Sequence, residues 1–442
     1  MNIAVIGTGY VGLVSGTCFA EMGNNVICVD NDKNKLEKLN SNHITIYEPG
    51  LEVIYSRNFN NGRLKFTDDL KAATLASDMV FLCLPTPQDE DGSADLSHVM
   101  NITGKLGDIL SEIDDFKLII NKSTAPVGTG QVIFGILSTK GVKNFAVASN
   151  PEFLREGFAV EDFMKPDRVV VGSDSEKALE MLRDLYEPFV TMGNSIIEMD
   201  IRSAEVTKYA SNSFLATKIT FMNDLANFCE KATADIDLVR LGMGSDPRIG
   251  HRFLFPGVGY GGSCFPKDVN ALIKTSIDFD AKLVLLAEVD RINQEQRVRF
   301  FNKISTHFNG NLKGKKLAVW GLAFKPDTDD MREAPSVTVI KRLVNEGVSI
   351  TAYDPVASEN ARFYLNDTIE YATDKYSALD AADALVIFTE WGEFKKPDFA
   401  QLRSRLKSPL IFDGRNMYEV NEMQKLKFSY YSIGRRVVLG TN

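Results

Sequence analysis

The chain has 442 residues, 44% of them hydrophobic and 25% charged, and a formal net charge of −9. This length exceeds what one hydrophobic core supports and predicts two or three domains, while the ordinary composition excludes a disordered or fibrous protein. The negative charge argues against nucleic acid or an anionic membrane as a partner.

The first 200 residues alternate short apolar runs with amphipathic helical ones. Strands are predicted at NIAVIG, NNVICVD, DMVFLCLP, FKLIINKST, FAVASNP and DRVVVGS, with a helix over about 11–22 after the first of them. Strands that alternate with helices indicate a parallel sheet wound on both faces. We therefore assign residues 1–200 to one doubly wound, Rossmann-like domain.

A long helical stretch begins at about Ser203 and runs for roughly 29 residues, AEVTKYASNSFLATKITFMNDLANFCEKA, without proline or glycine. This length predicts a spine that joins domains and offers a dimer surface. Further helices are predicted after Pro266 and through AKLVLLAEVDRINQEQRVRFFNKI. Residues 201–311 thus form a predicted helical middle domain, and we expect a homodimer or higher homo-oligomer.

Strand signals return near Gly314, in KKLAVWGL, VSITAYDP, ADALVIFTEW and SPLIFDGR, with the helix SVTVIKRLVNEG between the first two. They predict a second Rossmann-like domain over 312–442, so the fold class is two doubly wound parallel-sheet domains joined by a long central helix and a helical middle domain. Asp354 ends its second strand as Asp30 does in the first domain, but the glycine fingerprint is missing, and we assign it no second dinucleotide. The tail beyond Tyr431, SIGRRVVLGTN, is predicted to be surface only.

The first motif is Gly7-Thr8-Gly9-Tyr10-Val11-Gly12, which follows a strand and opens a helix. Its glycines permit a tight turn and close approach of the backbone to a diphosphate, and the helix N-terminus attracts the anion. Asp30 ends the next strand, where its carboxylate would bind the adenosine ribose and repel a 2′-phosphate, so NAD is preferred to NADP. Lys35 either reaches the same ribose or lies in water.

The second motif is GVGYGGSCFPKD, residues 257–268, in which small residues let the backbone approach a ligand closely. Pro266 suits the first turn of a helix, and Cys264 then stands at the helix start. There the helix dipole and Lys267 are expected to lower the pKa of the thiol, and Asp268 is within reach as a base. We predict that Cys264 is a nucleophile, although most free cysteines are buried hydrophobes.

The third motif is Lys208 and Asn212, four residues apart on the long helix and hence on one face. Lysines in the middle of a helix are normally solvated. Beside an oxidised carbonyl, however, an ammonium and an amide stabilise a developing oxyanion.

These motifs, together with KSTAPVGT, NPEFLREG and FKPDTDDMREAPS in the same order along the chain, resemble the UDP-glucose/GDP-mannose dehydrogenase family. The resemblance covers essentially the whole sequence. It implies an NAD-dependent, four-electron oxidation of UDP-glucose to UDP-glucuronate through a thiohemiacetal and a thioester on cysteine, for use in polysaccharide biosynthesis. GDP-mannose or UDP-N-acetylmannosamine remain alternative substrates within the family.

The resemblance also implies residue roles. It makes Cys264 the nucleophile, Lys208 and Asn212 the oxyanion stabilisers, Asp268 the acid/base group, and Thr124 and Glu152 the residues that hold the catalytic water. It adds to the cofactor site Val11, Thr86, Thr124, Glu156, Lys267 and Arg332. It assigns to the substrate Glu152, Phe153, Leu154, Lys208, Asn212, Arg248, Phe253, Leu254, Phe255, Pro256, Gly257, Tyr260, Gly261, Lys325 and Arg415, with Arg248 and Arg415 as candidates for contribution by a neighbouring subunit.

Two other classes compete with this interpretation. A single-step β-hydroxyacid dehydrogenase shares the Rossmann domain and a Lys-x₃-Asn pair, but lacks the glycine-rich loop ending in Cys264 and the third domain. A non-catalytic NAD-sensing or scaffold protein is disfavoured because the reactive residues are all in place. Five cysteines without paired spacing indicate reduced thiols, four scattered histidines indicate no metal site, and the absence of a membrane span or leader predicts a cytoplasmic protein.

Overall fold

The computed structural model describes residues 1–89, 91–190 and 195–440. The chain divides into two compact units: the first unit is Met1–Ser211 with Lys274–Ala281, and the second unit is Asn212–Ile273 with Lys282–Asn442. Two of the boundaries between the units fall inside helices, after residues 211 and 273, and the third follows Ala281 between two helices.

The first unit is built on an eight-stranded sheet. Its strands are β1 (Asn2–Ile6), β2 (Asn25–Val29), β3 (Leu64–Thr67), β4 (Met79–Leu82), β5 (Lys117–Asn121), β6 (Phe145–Ser149), β7 (Arg168–Gly172) and β8 (Ser195–Met199). Its helices are α1 (Tyr10–Glu21), α2 (Lys33–Asn40), α3 (Leu51–Asn60), α4 (Leu70–Leu75), α5 (Ser97–Leu110), α6 (Thr129–Thr139), α7 (Ala159–Met164) and α8 (Glu176–Tyr186). The strand order is β3-β2-β1-β4-β5-β6-β7-β8, with the reversal of order between β1 and β4.

Alternate residues of β1 enter two different hydrophobic cores. Ile3 and Val5 join one core, which includes apolar residues of α1, whereas Ala4 and Ile6 join the other, which includes residues of α5 and α6. Because side chains alternate across a strand, the sheet is covered on both faces. The predicted doubly wound architecture of this unit is confirmed.

One edge of this sheet departs from the parallel pattern. The predicted strand DRVVVGS, which is β7, pairs antiparallel to β6 through Ser149 and Gly172, and β8 pairs parallel to β7. Antiparallel neighbours need no crossover connection. The segment from β6 to β7 therefore leaves β6 and enters β7 at the same end of the strands. That connection carries Glu152 and Glu156, and it therefore starts and finishes where the other strands have their carboxyl ends.

The second unit contains a six-stranded, wholly parallel sheet of order β11-β10-β9-β12-β13-β14. Its strands are β9 (Lys316–Trp320), β10 (Ser349–Tyr353), β11 (Glu370–Tyr371), β12 (Ala384–Ile387), β13 (Leu410–Asp413) and β14 (Ser429–Tyr431). The helices from residue 201 onward are α9 (Ile201–Ala232), α10 (Ile236–Gly244), α11 (Phe265–Asp278), α12 (Val284–His307), α13 (Pro335–Asn345), α14 (Ser358–Leu365), α15 (Phe399–Arg405) and α16 (Val420–Lys425). The predicted spine is thus a continuous helix of 32 residues.

Asp354, which ends β10, differs from its counterpart Asp30. Its Oδ2 accepts hydrogen bonds from the Leu322 and Ala323 amides at 2.7 and 3.1 Å and from the Trp391 indole at 3.1 Å, while its Oδ1 accepts the Val356 and Ala357 amides. With five donors bound inside the unit, this carboxylate serves the fold rather than a ribose.

The prediction that the tail beyond Tyr431 is only surface is wrong. Ile433 and Val438 are buried, and Val438 pairs with Tyr430 across an antiparallel bridge. Arg435 forms an ion pair with Asp237. The tail covers the exposed edge of β14, which sheet edges generally require. Thr441 and Asn442, which belong to the same prediction, lie outside the described residues.

Candidate active site

The glycine turn after β1 is fixed by close packing of backbone on backbone. A β-carbon on Gly7 would lie 2.4 Å from the Cys83 carbonyl oxygen, and one on Gly12 would lie 1.9 Å from the Gly7 carbonyl oxygen. At Gly9, by contrast, no atom of the described chain lies within 4 Å of the equivalent point, and no side chain caps α1. The start of α1 therefore offers open space and free amides to a diphosphate.

Asp30 lies beside this turn at the end of β2. Its Oδ2 accepts bonds from the Thr8 amide at 2.9 Å and the Thr8 hydroxyl at 2.5 Å, and its Oδ1 accepts the Asp32 amide at 3.0 Å. Burial alone raises the pKa of this carboxyl, but these hydrogen bonds outweigh burial and lower the pKa. The ammonium of Lys35 contacts Asp30 at 3.3 Å. An ionised acid beside an open helix start fits a dinucleotide with free ribose hydroxyls.

Glu152 and Lys208 form a buried ion pair in the first unit. The Lys208 ammonium donates to Glu152 Oε1 at 2.8 Å and to the Glu152 carbonyl oxygen at 2.5 Å. Lys208 is 3% exposed and Glu152 is 8% exposed. The Leu154 amide donates to Glu152 Oε2 at 2.6 Å. Burial opposes ionisation of Glu152, but Lys208 outweighs it and the pKa is lowered. The Lys208 ammonium also lies 5.4 Å from the centre of the Phe153 ring.

Lys122 is a further buried cation of the first unit that the sequence analysis does not predict. Its ammonium donates to Asn150 Oδ1 at 2.9 Å and to the Tyr186 hydroxyl at 3.3 Å. Burial lowers the pKa of Lys122 to about 8, and its charge helps to lower the pKa of Glu152. A lysine directly after the fully buried strand β5 is the signal from which it could have been found.

Two threonines predicted at the cofactor site are joined directly. The Thr86 hydroxyl, on the segment after β4, donates to the Thr124 carbonyl oxygen, on the segment after β5, at 2.7 Å. Both segments start at the carboxyl ends of parallel strands, where ligands bind in such sheets.

Glu48 is a second residue that the sequence analysis misses. Its carboxylate accepts the amides of Gly157 at 2.7 Å and Ala159 at 2.8 Å and the hydroxyl of Tyr10. It thereby ties the first residue of α1 to the loop that carries Glu156. Gly157 and Ala159 lie more than 100 residues after Glu48, so no local pattern indicates that they bind it.

In the second unit, Asp268 lies one helical turn after Cys264 and is 1% exposed. Its Oδ2 accepts a hydrogen bond from Asn212 Nδ2 at 2.6 Å, and its Oδ1 lies 2.8 Å from the Lys267 ammonium. Cys264 immediately precedes α11, is partly exposed, and its sulfur lies 3.4 Å from the Ser263 hydroxyl. The other cysteines are all buried.

The glycines of the loop before Cys264 are required by the protein itself. A β-carbon would lie 2.2 Å from the Glu333 carbonyl oxygen at Gly261, and 2.7 Å from the Phe324 ring at Gly262. At Gly257 it would lie 2.9 Å from the Gly414 carbonyl oxygen. The backbone of this loop is therefore pressed against other segments of the second unit, and the close approach of a ligand to it stays a prediction.

The predicted substrate residues of the second unit differ in exposure. Leu254, Pro256, Gly257, Tyr260 and Gly261 are buried, Phe253, Lys325 and Arg415 are half-buried, and Phe255 and Arg248 are exposed. Arg415 donates to the carbonyl oxygens of Phe388 at 2.7 Å and Phe324 at 2.8 Å, and its Nη1 lies 3.3 Å from where a β-carbon on Gly257 would stand. Arg415 thus adjoins the predicted substrate loop within its own chain.

Two predicted arginines pair with neighbours in sequence. Arg248 binds both carboxylate oxygens of Asp246, and Arg332 binds both carboxylate oxygens of Asp330. Phe153, Leu154, Glu156 and Val11 of the first unit are half-buried.

Across residues 1–89, 91–190 and 195–440 there is no group of three or more metal-ligating side chains. None of the helices within those ranges combines the length and the apolar character needed to cross a membrane.

An open phosphate cradle with an ionised acid at its edge accepts a dinucleotide, and buried lysine and carboxylate groups elsewhere in the chain suit proton and oxyanion chemistry. The fold and these groups define an NAD-dependent oxidoreductase.

Comparisons with known proteins identify the family. Residues 1–190 match the NAD binding domain of the UDP-glucose/GDP-mannose dehydrogenase family, residues 202–295 its central domain, and residues 318–420 its UDP binding domain. The chain is 45% identical over 442 residues to UDP-glucose 6-dehydrogenase TuaD of Bacillus subtilis, covering 100% of this chain and 94% of the relative. It is 46% identical over 439 residues to UDP-glucose 6-dehydrogenase of Rhizobium meliloti, covering 98% and 100%. The chain therefore belongs to the UDP-glucose/GDP-mannose dehydrogenase family.

Solved structures agree with this assignment. A UDP-glucose dehydrogenase from Pyrobaculum islandicum superposes with a TM-score of 0.89 at 36% identity, covering 95% of both chains. The UDP-N-acetyl-mannosamine dehydrogenase Cap5O from Staphylococcus aureus superposes with a TM-score of 0.79 at 26% identity, covering 97% of both chains.

Proposed function

We propose that this protein oxidises UDP-glucose to UDP-glucuronate in two steps, with Cys264 as the nucleophile of the second step. The observation that carries the mechanism is the buried carboxylate of Asp268, held by Asn212 and Lys267 one turn beyond Cys264. The choice of UDP-glucose is supported by relatives at 45% and 46% identity that are named UDP-glucose 6-dehydrogenases.

The chemistry explains why a cysteine is needed. Loss of hydride and a proton from the primary alcohol gives an aldehyde, which has no hydride to release until a nucleophile adds to its carbonyl carbon. The Cys264 thiolate forms a C–S bond there and gives a thiohemiacetal, and loss of the second hydride leaves a thioester. Water then attacks the thioester, the C–S bond breaks, and the carboxylate and the free thiol are released. The net reaction consumes one water and two hydride acceptors.

NAD, when bound, supplies the hydride acceptor for both oxidations. In this chain the Gly7–Gly12 turn and the start of α1 would hold its diphosphate, and Asp30 its adenosine ribose. We assign Lys35, Val11, Thr86, Thr124, Glu156, Lys267 and Arg332 to the same site.

Lys208 and Asn212 are assigned to the oxyanions of the tetrahedral intermediates, since each offers N–H donors from α9. Asp268 is assigned to proton transfer with the Cys264 thiol. Glu152, which a lowered pKa keeps ionised at neutral pH, would accept a proton from the water that cleaves the thioester. We place Thr124 beside that water.

The nucleotide sugar is assigned to Phe153 and Leu154 and to the segment from Phe253 to Gly261, with positive charge from Lys325, Arg415 and Arg248. The relatives at 45% and 46% identity are named UDP-glucose 6-dehydrogenases, which supports a uridine nucleotide over a guanosine nucleotide. UDP-N-acetylmannosamine remains the second candidate, because Cap5O shares the fold over 97% of the chain.

We also propose a homo-oligomer whose contact is the exposed face of α9. Phe214, Phe221 and Phe228 recur every seven residues and are 65%, 55% and 64% exposed. Such a stripe of large apolar side chains is typical of a buried helix–helix contact. We keep the three-part division at residues 200 and 311, the cytoplasmic location and the supply of UDP-glucuronate for polysaccharide synthesis as parts of the same proposal.

The test is the yield of NADH per sugar. Purified protein with excess NAD and a limiting amount of UDP-glucose should form two NADH for each UDP-glucose, and mass spectrometry should find UDP-glucuronate. UDP-N-acetylmannosamine and GDP-mannose serve as parallel substrates. One NADH per sugar would contradict the two-step oxidation, and faster turnover of either parallel substrate would contradict the choice of glucose.

A further inference from the structure

Three polar side chains of α12 are buried on one helix face. Asn293 is 0% exposed, Gln296 is 1% exposed and Arg297 is 2% exposed, and their spacing of three and four residues places them side by side. A buried polar group must be hydrogen-bonded to be tolerated, so such a row implies a defined partner. The partner is the glycine-rich loop that leads to Cys264.

Asn293 binds the backbone of Tyr260 in both directions. The Tyr260 amide donates to Asn293 Oδ1 at 2.9 Å, and Asn293 Nδ2 donates to the Tyr260 carbonyl oxygen at 3.2 Å. This one side-chain amide thus binds both backbone groups of Tyr260, as a neighbouring β-strand would. The side-chain amide of asparagine carries a donor and an acceptor side by side, which matches the two backbone groups of one residue.

Gly257 is held in a similar way by two side chains. Its amide donates to Asn223 Oδ1 at 2.7 Å, and its carbonyl oxygen accepts Gln296 Nε2 at 2.8 Å. Asn227 in turn donates to Gln296 Oε1 at 2.9 Å and fixes the direction of that amide. Both hydrogen-bonding groups of a second loop residue are therefore bound by buried amides.

Arg297 completes the row. It donates to the carbonyl oxygens of Tyr260 at 3.0 Å and Glu333 at 3.1 Å. Between the two clamped residues, Gly259 has a φ of +109°, and a β-carbon there would lie 2.9 Å from Asn293 Oδ1. The loop is thus irregular backbone that other segments bind at the Val258 and Gly262 amides, whereas buried side chains bind the backbone groups of Gly257 and Tyr260, so its path at those two residues depends on the side chains.

We infer that Asn293 and Gln296 are positioning residues that act at opposite ends of this loop. Asn293 holds Tyr260, four residues before Cys264, and sets the approach of the sulfur to the aldehyde. Gln296 holds Gly257, at the end of the Phe253–Gly257 segment, and sets the surface on which the nucleotide sugar lies. The inference rests on the proposed roles of Cys264 and of that segment.

The test for Asn293 separates the two oxidations. The first oxidation does not require Cys264, so in a single turnover of Asn293→Ala the first NADH should form at the wild-type rate. The second NADH should form about 10²-fold more slowly, the usual effect of displacing a reacting group by about 1 Å. A general loss of folded protein would instead lower the amplitude of both phases equally. Asn293→Asp, which keeps the volume and the acceptor but loses the donor, should give the same signature if the alanine variant does not fold.

Gln296→Ala should raise the KM for UDP-glucose about 10-fold while the kcat stays within about 3-fold of wild type. Asn58→Ala is the matched control, because Asn58 is a buried amide of the first unit that binds Glu21 and the Ile54 carbonyl oxygen, and it should leave both kinetic signatures unchanged. If wild type forms two NADH per sugar but Asn293→Ala forms both at wild-type rates, or slows both equally, the inference is wrong. If wild type itself forms one NADH, the proposed function fails instead.

Discussion

The ion pair between Glu152 and Lys208 permits a quantitative prediction for Glu152→Gln. Two unit charges 2.8 Å apart attract by about 6 kcal/mol at an effective dielectric constant of about 20. Glutamine keeps an oxygen for the Lys208 ammonium but loses the charge, so Lys208 stays buried without its carboxylate. Removing one partner of a buried pair typically costs about 3–5 kcal/mol, and the retained hydrogen bond favours the lower end. We expect the free energy of unfolding of the first unit to fall by about 3 kcal/mol.

Urea unfolding followed by circular dichroism measures this change. Glu112→Gln is the control, because Glu112 pairs with Lys71 at 2.6 Å but both side chains are more than half exposed, and the loss there should be under about 1 kcal/mol. The double variant Glu152→Gln with Lys208→Met removes both charges and should recover much of the stability. Equal urea midpoints for wild type and Glu152→Gln would refute the reasoning. A double variant whose loss of stability equals the sum of the losses from the two single substitutions would refute it as well.

Three further outcomes follow from the structure. The first concerns Glu205 of α9, whose carboxylate accepts the amides of Gly128 and Gly130, both at 2.7 Å. Burial raises the pKa of Glu205 from 4.5 to about 6, so the contribution of this carboxyl to stability is complete below pH 4.5 and is lost as the pH rises through 6. Wild type should therefore lose about 2 kcal/mol of unfolding free energy over this rise in pH. Glu205→Gln should show no such loss in thermal unfolding. Asp30→Asn should raise the KM for NAD about 10-fold and lower the ratio of kcat/KM for NAD to kcat/KM for NADP in steady-state kinetics. An unchanged ratio would contradict the ribose assignment. Gly261→Ala places a β-carbon 2.2 Å from the Glu333 carbonyl oxygen and should cost about 1–3 kcal/mol of stability and most of the activity, whereas Gly104→Ala, with no described atom within 4 Å, should cost neither.

The parts of this protein that could be predicted are those that local chemistry specifies. The turn from Gly7 to Gly12 and the acid at Asp30 are set by the path of one strand, one turn and one helix, and the structure has them as predicted. The hydrogen bond between Asp268 and Asn212 is not predicted from the sequence, because the two residues lie 56 positions apart.

The features that escaped prediction depend on residues far apart in sequence. Glu48 binds Gly157 across 109 residues, and nothing near Glu48 indicates that partner. Asn293 and Gln296 belong to the polar run RINQEQR of a predicted helix, and a helix pattern does not tell whether a polar stripe faces water or a loop that needs hydrogen bonds. The antiparallel pairing of β7 and the burial of Val438 are likewise decided by which sheet edge remains to be covered.

The central claim is that Cys264 carries the second oxidation, and Cys264→Ser tests it most directly. Wild type, Cys264→Ser and the buried-cysteine control Cys229→Ser are incubated with excess NAD and limiting UDP-glucose, and NADH and UDP-glucuronate are measured together. Wild type and Cys229→Ser should give two NADH and one UDP-glucuronate per sugar, whereas Cys264→Ser should give no more than one NADH and no UDP-glucuronate. Two NADH and one UDP-glucuronate from Cys264→Ser would contradict the account.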